Sequence, residues 1–148
     1  MCSDDVKRIH LNVVALALCL AMRDAHGDVV AVVSDKSALT SLSRNQVVDI
    51  FLGRAVRFPD GTRAVPIDQA EGTAARDEFY TRFAGKSAAQ LKAHWSKIIF
   101  TGRGQPPRAA STDSETKKLL AQDPNAIGYI ERSAVDGTVR VVMRAETH

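Results

Sequence analysis

"AEGTAARDEF" (residues 70–79) sets a glycine, a threonine and two alanines directly ahead of a run with helical spacing, so the first helical turn is nearly bare of bulky side chains. The opening turn of any helix carries N–H groups with no partner inside the helix, together with a partial positive charge. Small residues let an oxyanion reach those groups, and a threonine hydroxyl adds one donor. Two readings follow. Gly72, Thr73, Ala74 and Ala75 form an anion cradle, or Thr73 or Glu71 simply caps the helix.

Upstream, "AVPID" (residues 64–68) reads as a short strand, and Pro66 argues for an edge or a strand end. "FPDGT" (residues 58–62) supplies the turn before it. Farther back, "DVVAVVS" (residues 28–34) is β-branched and apolar throughout, the pattern of a first, central strand covered on both faces. Ser43 opens the capping box "SRNQ", with Val47, Ile50 and Phe51 at helical spacing before Gly53, so a short helix is expected to lie on the sheet.

Downstream, Ala75, Phe79 and Phe83 form one apolar stripe that Gly85 ends. Ser87 begins a second capping box, "SAAQ", and Leu91, Trp95, Ile98 and Ile99 share one face of a long helix. Trp95 is therefore expected in the core, with Phe79, Phe83 and Ile98, and not as a ligand platform. "TGRGQPP" (residues 101–107) is a loop whose Gly-Arg-Gly is too short for a nucleotide signature. "TDSE" (residues 112–115) opens a further helix through Leu119 and Leu120, while "AIGYIE" (residues 126–131) and "TVRVVM" (residues 138–143) read as strands. Alternating elements of this kind predict an α/β layer structure around a mainly parallel or mixed sheet of four to five strands flanked by helices.

A chain of 148 residues with 45% hydrophobic content suits one globular domain. Its formal charge of +3, from 20 basic and 17 acidic residues without long runs, gives no nucleic-acid footprint. Lys7 and Arg8 precede the apolar run at residues 11–22, and Ala25-His26-Gly27 offers small residues at a cleavage site. Residues 1–27 are expected to be an export signal, residues 28–148 the folded domain, and the destination the periplasm; a buried or amphipathic first helix is the alternative. Asp4, Asp5, Arg23 and Asp24 are faults in that signal. Cys2 and Cys19 both fall inside it, and Leu18 makes Cys19 a poor lipid-attachment site.

Catalysis has little behind it. His94 is the one histidine in the body of the domain, and the chain has no Gly-x-Ser-x-Gly elbow and no His-Glu-x-x-His. Neither an enzyme nor a cofactor is expected.

Three stretches together, "LTSLSRNQVVDIFLGRAVRFPDGT" (residues 39–62), "QAEGTAARDEF" (residues 69–79) and "NAIGYIERSAVDG" (residues 125–137), resemble the phosphate-binding proteins of ABC phosphate transporters, members of the type II periplasmic binding protein superfamily. The resemblance runs from Val29 to Val142 and implies a single periplasmic-binding-protein-like lobe. In that family a strand leads into an Arg-x-Asp-Gly-Ser-Gly-Thr turn that grips phosphate, and an Ile-Gly-Tyr strand lies in the same lobe. Laid on without a gap, the arginine falls on Gln69, the aspartate on Glu71, the first glycine on Gly72, the serine on Thr73, the second glycine on Ala74 and the threonine on Ala75. Arg76 follows directly. The resemblance thus implies an oxyanion site at Gln69, Glu71, Gly72, Thr73, Ala74, Ala75 and Arg76 that lacks its main cation, and hence weakened affinity.

Full-length members of the family close two lobes around phosphate, so this chain is expected to be one lobe standing alone, with a wetter and weaker site. Two functions follow from the resemblance. One is an exported solute-binding protein that takes phosphate or another oxyanion and serves an ABC permease. The other is an interaction or signalling module that uses its open face for a protein partner or a second copy of itself.

Overall fold

The computed structural model describes residues 28–144. The expected export signal at residues 1–27 lies outside the described residues, as does His148. In chain order the elements are β1 (Val29–Ser34), α1 (Arg44–Phe51), β2 (Val65–Gln69), α2 (Ala74–Phe79) continued by a π-helical turn (Tyr80–Ala84), α3 (Ala88–Phe100), β3 (Arg108–Ala110), α4 (Asp113–Gln122), β4 (Ala126–Glu131), a short 3-10 turn (Arg132–Ala134) and β5 (Val139–Arg144). The five strands make one mixed sheet in the order β3-β2-β4-β1-β5. β2 runs parallel to β3 and β4, while β1 is antiparallel to both β4 and β5. The α/β architecture expected from the sequence is the one observed.

One expectation needs correction. β1 is buried along its whole length and has a neighbour on each side, but the middle strand is β4. Of the two alternatives for Pro66, the strand end holds and the edge does not: Pro66 is the second residue of β2, which lies between β3 and β4. The proline is tolerated because it sits near the strand start. The Val65 N–H goes to Asn125 O toward β4, so the Pro66 nitrogen faces the β3 side, where pairing begins only at Ile67. β3, three residues long, is the edge on that side, and nothing in the sequence pattern announces it.

Helices cover both faces. Val29, Ala31 and Val33 of β1, with Ile127 and Tyr129 of β4, pack against α1, α2 and α3 through Phe51, Phe79, Phe83 and Trp95. Val30, Val32 and Ile130 pack on the other face, with Leu120 of α4. Both capping boxes form as read, at Ser43/Gln46 and Ser87/Gln90. Phe79, Phe83 and Trp95 lie in one core with Ile98 packed against it, as expected, whereas Ile99 is 54% exposed and leaves the stripe.

The core centres on Phe79, which stacks on Tyr129 with centroids 4.0 Å apart and takes edge contacts from Phe51 and Phe83. Gly128 explains the small residue in Ile-Gly-Tyr. A Cβ there would stand 2.8 Å from Thr116 Cγ2, so the glycine lets α4 press against β4.

Candidate functional site

β2, β3 and β4 end together at one edge of the sheet, at Gln69, Ala110 and Glu131, and the chain leaves β2 into the turn that starts α2. This carboxyl edge is where open α/β sheets hold ligands. Gly72 adopts φ 86°, the left-handed region that favours glycine, and Thr73 then returns to extended backbone as the N-cap of α2.

The single proton of the Thr73 hydroxyl is spent inside the turn. It donates to Ala70 O at 2.9 Å and accepts from Arg76 N at 3.4 Å. The N–H groups of Ala74 and Ala75 occupy the first two helical positions, which have no acceptor within a helix. Ala74 and Glu71 are exposed, and Ala75 is buried.

Beneath the turn lies a polar cluster that the sequence reading missed. Asp68, 3% exposed, accepts from Tyr80 Oη at 2.7 Å, from the Tyr129 hydroxyl, and from Gln69 N at 2.8 Å. Arg76 Nε stands 3.6 Å from the same carboxylate, and the guanidinium lies over the Tyr80 ring at 5.6 Å. Burial pushes both phenols well above the usual tyrosine range, and the Asp68 charge pushes further in the same direction. The one available signal was a carboxylate closing an apolar strand directly before the turn.

Gln69, at the position where the resemblance places an arginine, is also 3% exposed. Its amide donates to Asp113 Oδ1 at 2.8 Å and to Tyr129 O at 3.0 Å. Asp113 in turn accepts from Glu131 N at 3.3 Å, tying the start of α4 to the end of β4. The rim is rich in carboxylates. Glu131 is held above the usual carboxylate range by desolvation first, then by Glu78, Asp113 and Asp28. Arg132 and Arg82 answer part of that charge, at 2.8 Å and 3.6 Å from Asp28.

Of the residues expected to hold an anion, the structure brings Gly72, Thr73, Ala74, Ala75 and Arg76 into one turn, with Glu71 on its solvent side and Gln69 turned into the fold. His94 bonds Leu52 O at 2.9 Å, a structural role. No group of three or more His, Cys, Asp or Glu side chains suited to a metal ion occurs among the described residues, and no helix among them is long and apolar enough to cross a membrane.

No family profile matches the chain, and no curated protein matches it. Solved structures do. A Clostridium perfringens protein assigned to the phosphate ABC transporter substrate-binding proteins, solved with bound phosphate, superposes with a TM-score of 0.62 at 22% identity over 78% of this chain and 44% of its own. An ABC-type phosphate transport receptor from Vibrio cholerae gives 0.63 at 16% identity, covering 82% of this chain and 48% of its own. PstS from Borrelia burgdorferi gives 0.61 at 10% identity, covering 82% and 49%. The chain therefore has the fold of one lobe of these binding proteins and spans less than half the length of each.

Proposed function

We propose that this chain is an exported solute-binding protein of the phosphate-binding type, which holds phosphate or another small oxyanion at the turn from Gln69 to Arg76 and delivers it to an ABC permease. The observation that carries the reading is the pair of N–H groups at Ala74 and Ala75 that start α2, set at the carboxyl edge of a sheet folded like those of phosphate-binding proteins. A helix start contributes roughly 0.3 to 1 kcal/mol to a bound anion at an exposed site. Glu71 and the carboxylate rim oppose a fully ionised ligand and favour one that retains a hydroxyl to donate. Affinity is accordingly weak, with a dissociation constant around the millimolar range.

A second reading, an interaction module without tight ligand binding, draws on one specific observation. The Gln69 amide and the Thr73 hydroxyl are both spent on protein partners. Phosphate titration followed by amide NMR separates the two. Saturable shifts centred on Ala74 and Ala75 support the oxyanion site, and their absence leaves the module.

A further inference from the structure

The opposite, amino-terminal edge of the sheet carries a pocket of about 390 Å³ where β2 and β3 begin. Trp95, Ile98, Val56 and Pro107 give it apolar walls. Its charges are Arg63, Arg103 and Arg108, and no Asp or Glu lines it.

Those three arginines are set apart from the other arginines whose side chains the structure describes. Arg44, Arg57 and Arg140 donate to backbone carbonyls, and Arg54, Arg76, Arg82 and Arg132 lie against carboxylates. The side chains of Arg63, Arg103 and Arg108 have neither kind of partner among the described residues, and all three line this one pocket. Trp95, on the same wall, is 6% exposed. Val56, on the pocket wall, is 64% exposed, an apolar surface open to water.

From this placement we infer a second binding site, for a small organic anion with an apolar body and a carboxylate or phosphate head. The volume suits a small molecule. The guanidinium forks match an oxyanion head, and the apolar walls take the body. The site is independent of the turn at Gln69 to Arg76, which lies at the other edge.

Trp95 is the single tryptophan of the chain, so its fluorescence reports on the pocket without a label. Octanoate is the probe, octanol its uncharged counterpart and inorganic phosphate the headless control, with calorimetry beside fluorescence in case Trp95 is silent. Octanoate should bind saturably. Octanol should bind at least about tenfold more weakly, and so should octanoate to the variant Arg63→Gln/Arg103→Gln/Arg108→Gln. All three arginines are exposed, so the variant should fold, and circular dichroism checks that it does. Phosphate alone should leave Trp95 unchanged. Equal binding of octanoate and octanol, an unaffected triple variant, or no octanoate heat up to about 10 mM would each overturn the site. Binding of an acidic peptide in place of octanoate would overturn it in favour of a protein partner.

Discussion

The Tyr129 hydroxyl of β4 donates to the carboxylate of Asp68 on β2, joining two strands that pair directly only at Val65 and Pro66. Tyr80, from the π-helical turn, donates to the other oxygen of the same carboxylate. The end of β2, the turn and α2 are thereby fixed to the sheet. Tyr129→Phe keeps the ring stacked on Phe79 and removes one donor from a buried charge. It should lower stability by about 1 to 3 kcal/mol in denaturant melts. A change under about 0.5 kcal/mol would mean that the bond is replaced without loss.

Tyr80 and Tyr129 are the two tyrosines of the chain, and both phenols are raised by burial and by Asp68. The raised form is the neutral one, so its contribution is fully present below about pH 10, the ordinary unfolded value, and is lost as the pH climbs beyond it. Tyrosinate absorbance should therefore stay flat through that value and rise only together with loss of the far-ultraviolet helical signal. Independent ionisation near the ordinary value would show that the phenols are open to water.

Phe79→Ala empties the centre of the aromatic cluster and should cost about 3 to 5 kcal/mol in denaturant melts. Gly128→Ala tests the opposite defect. A methyl there meets Thr116 Cγ2 at 2.8 Å, and overpacking of this kind should cost about 1 to 3 kcal/mol. Thr116→Ser in the same chain removes the opposing methyl and should restore part of the loss.

Much of this architecture is legible in the sequence because it is local. Ser43 and Ser87 announce their helices through a side chain and a partner three residues later, and both capping boxes are present. Gly85, at φ 61°, ends the π-helical turn where the apolar stripe stops. What escaped is set by packing across distant segments. β3 has three residues and no pattern of its own, and its pairing with β2 defines it. Pro66 signals a strand start as readily as an edge, and only the partner on each side distinguishes them. At the candidate site, Thr73 as a cap was visible in the turn itself. The burial of Asp68 under two tyrosines, and of Gln69 against Asp113, depends on residues 12 to 61 positions away.

Gln69→Arg returns a cation to the place where the resemblance puts one, with Asp113 and Asp68 close enough to fix it. If the turn binds oxyanions, the variant should take phosphate about tenfold more tightly than the parent chain, a gain of about 1.4 kcal/mol by calorimetry. Unchanged weak binding in a folded variant would place the anion away from position 69.

The most direct test removes one proposed donor and little else. Ala74 is the first residue of α2, where proline is tolerated, and Thr73 before it already has the extended backbone that a following proline requires. Ala74→Pro should therefore keep its melting curve within about 1 kcal/mol of the parent while losing one backbone N–H. Calorimetric titration with phosphate should show weak saturable binding to the parent chain, tightened by Gln69→Arg and reduced at least about fivefold by Ala74→Pro in either background. Equal phosphate affinity with and without the Ala74 N–H, or no binding to the parent or the Gln69→Arg chain up to tens of millimolar, would contradict an oxyanion site at this turn.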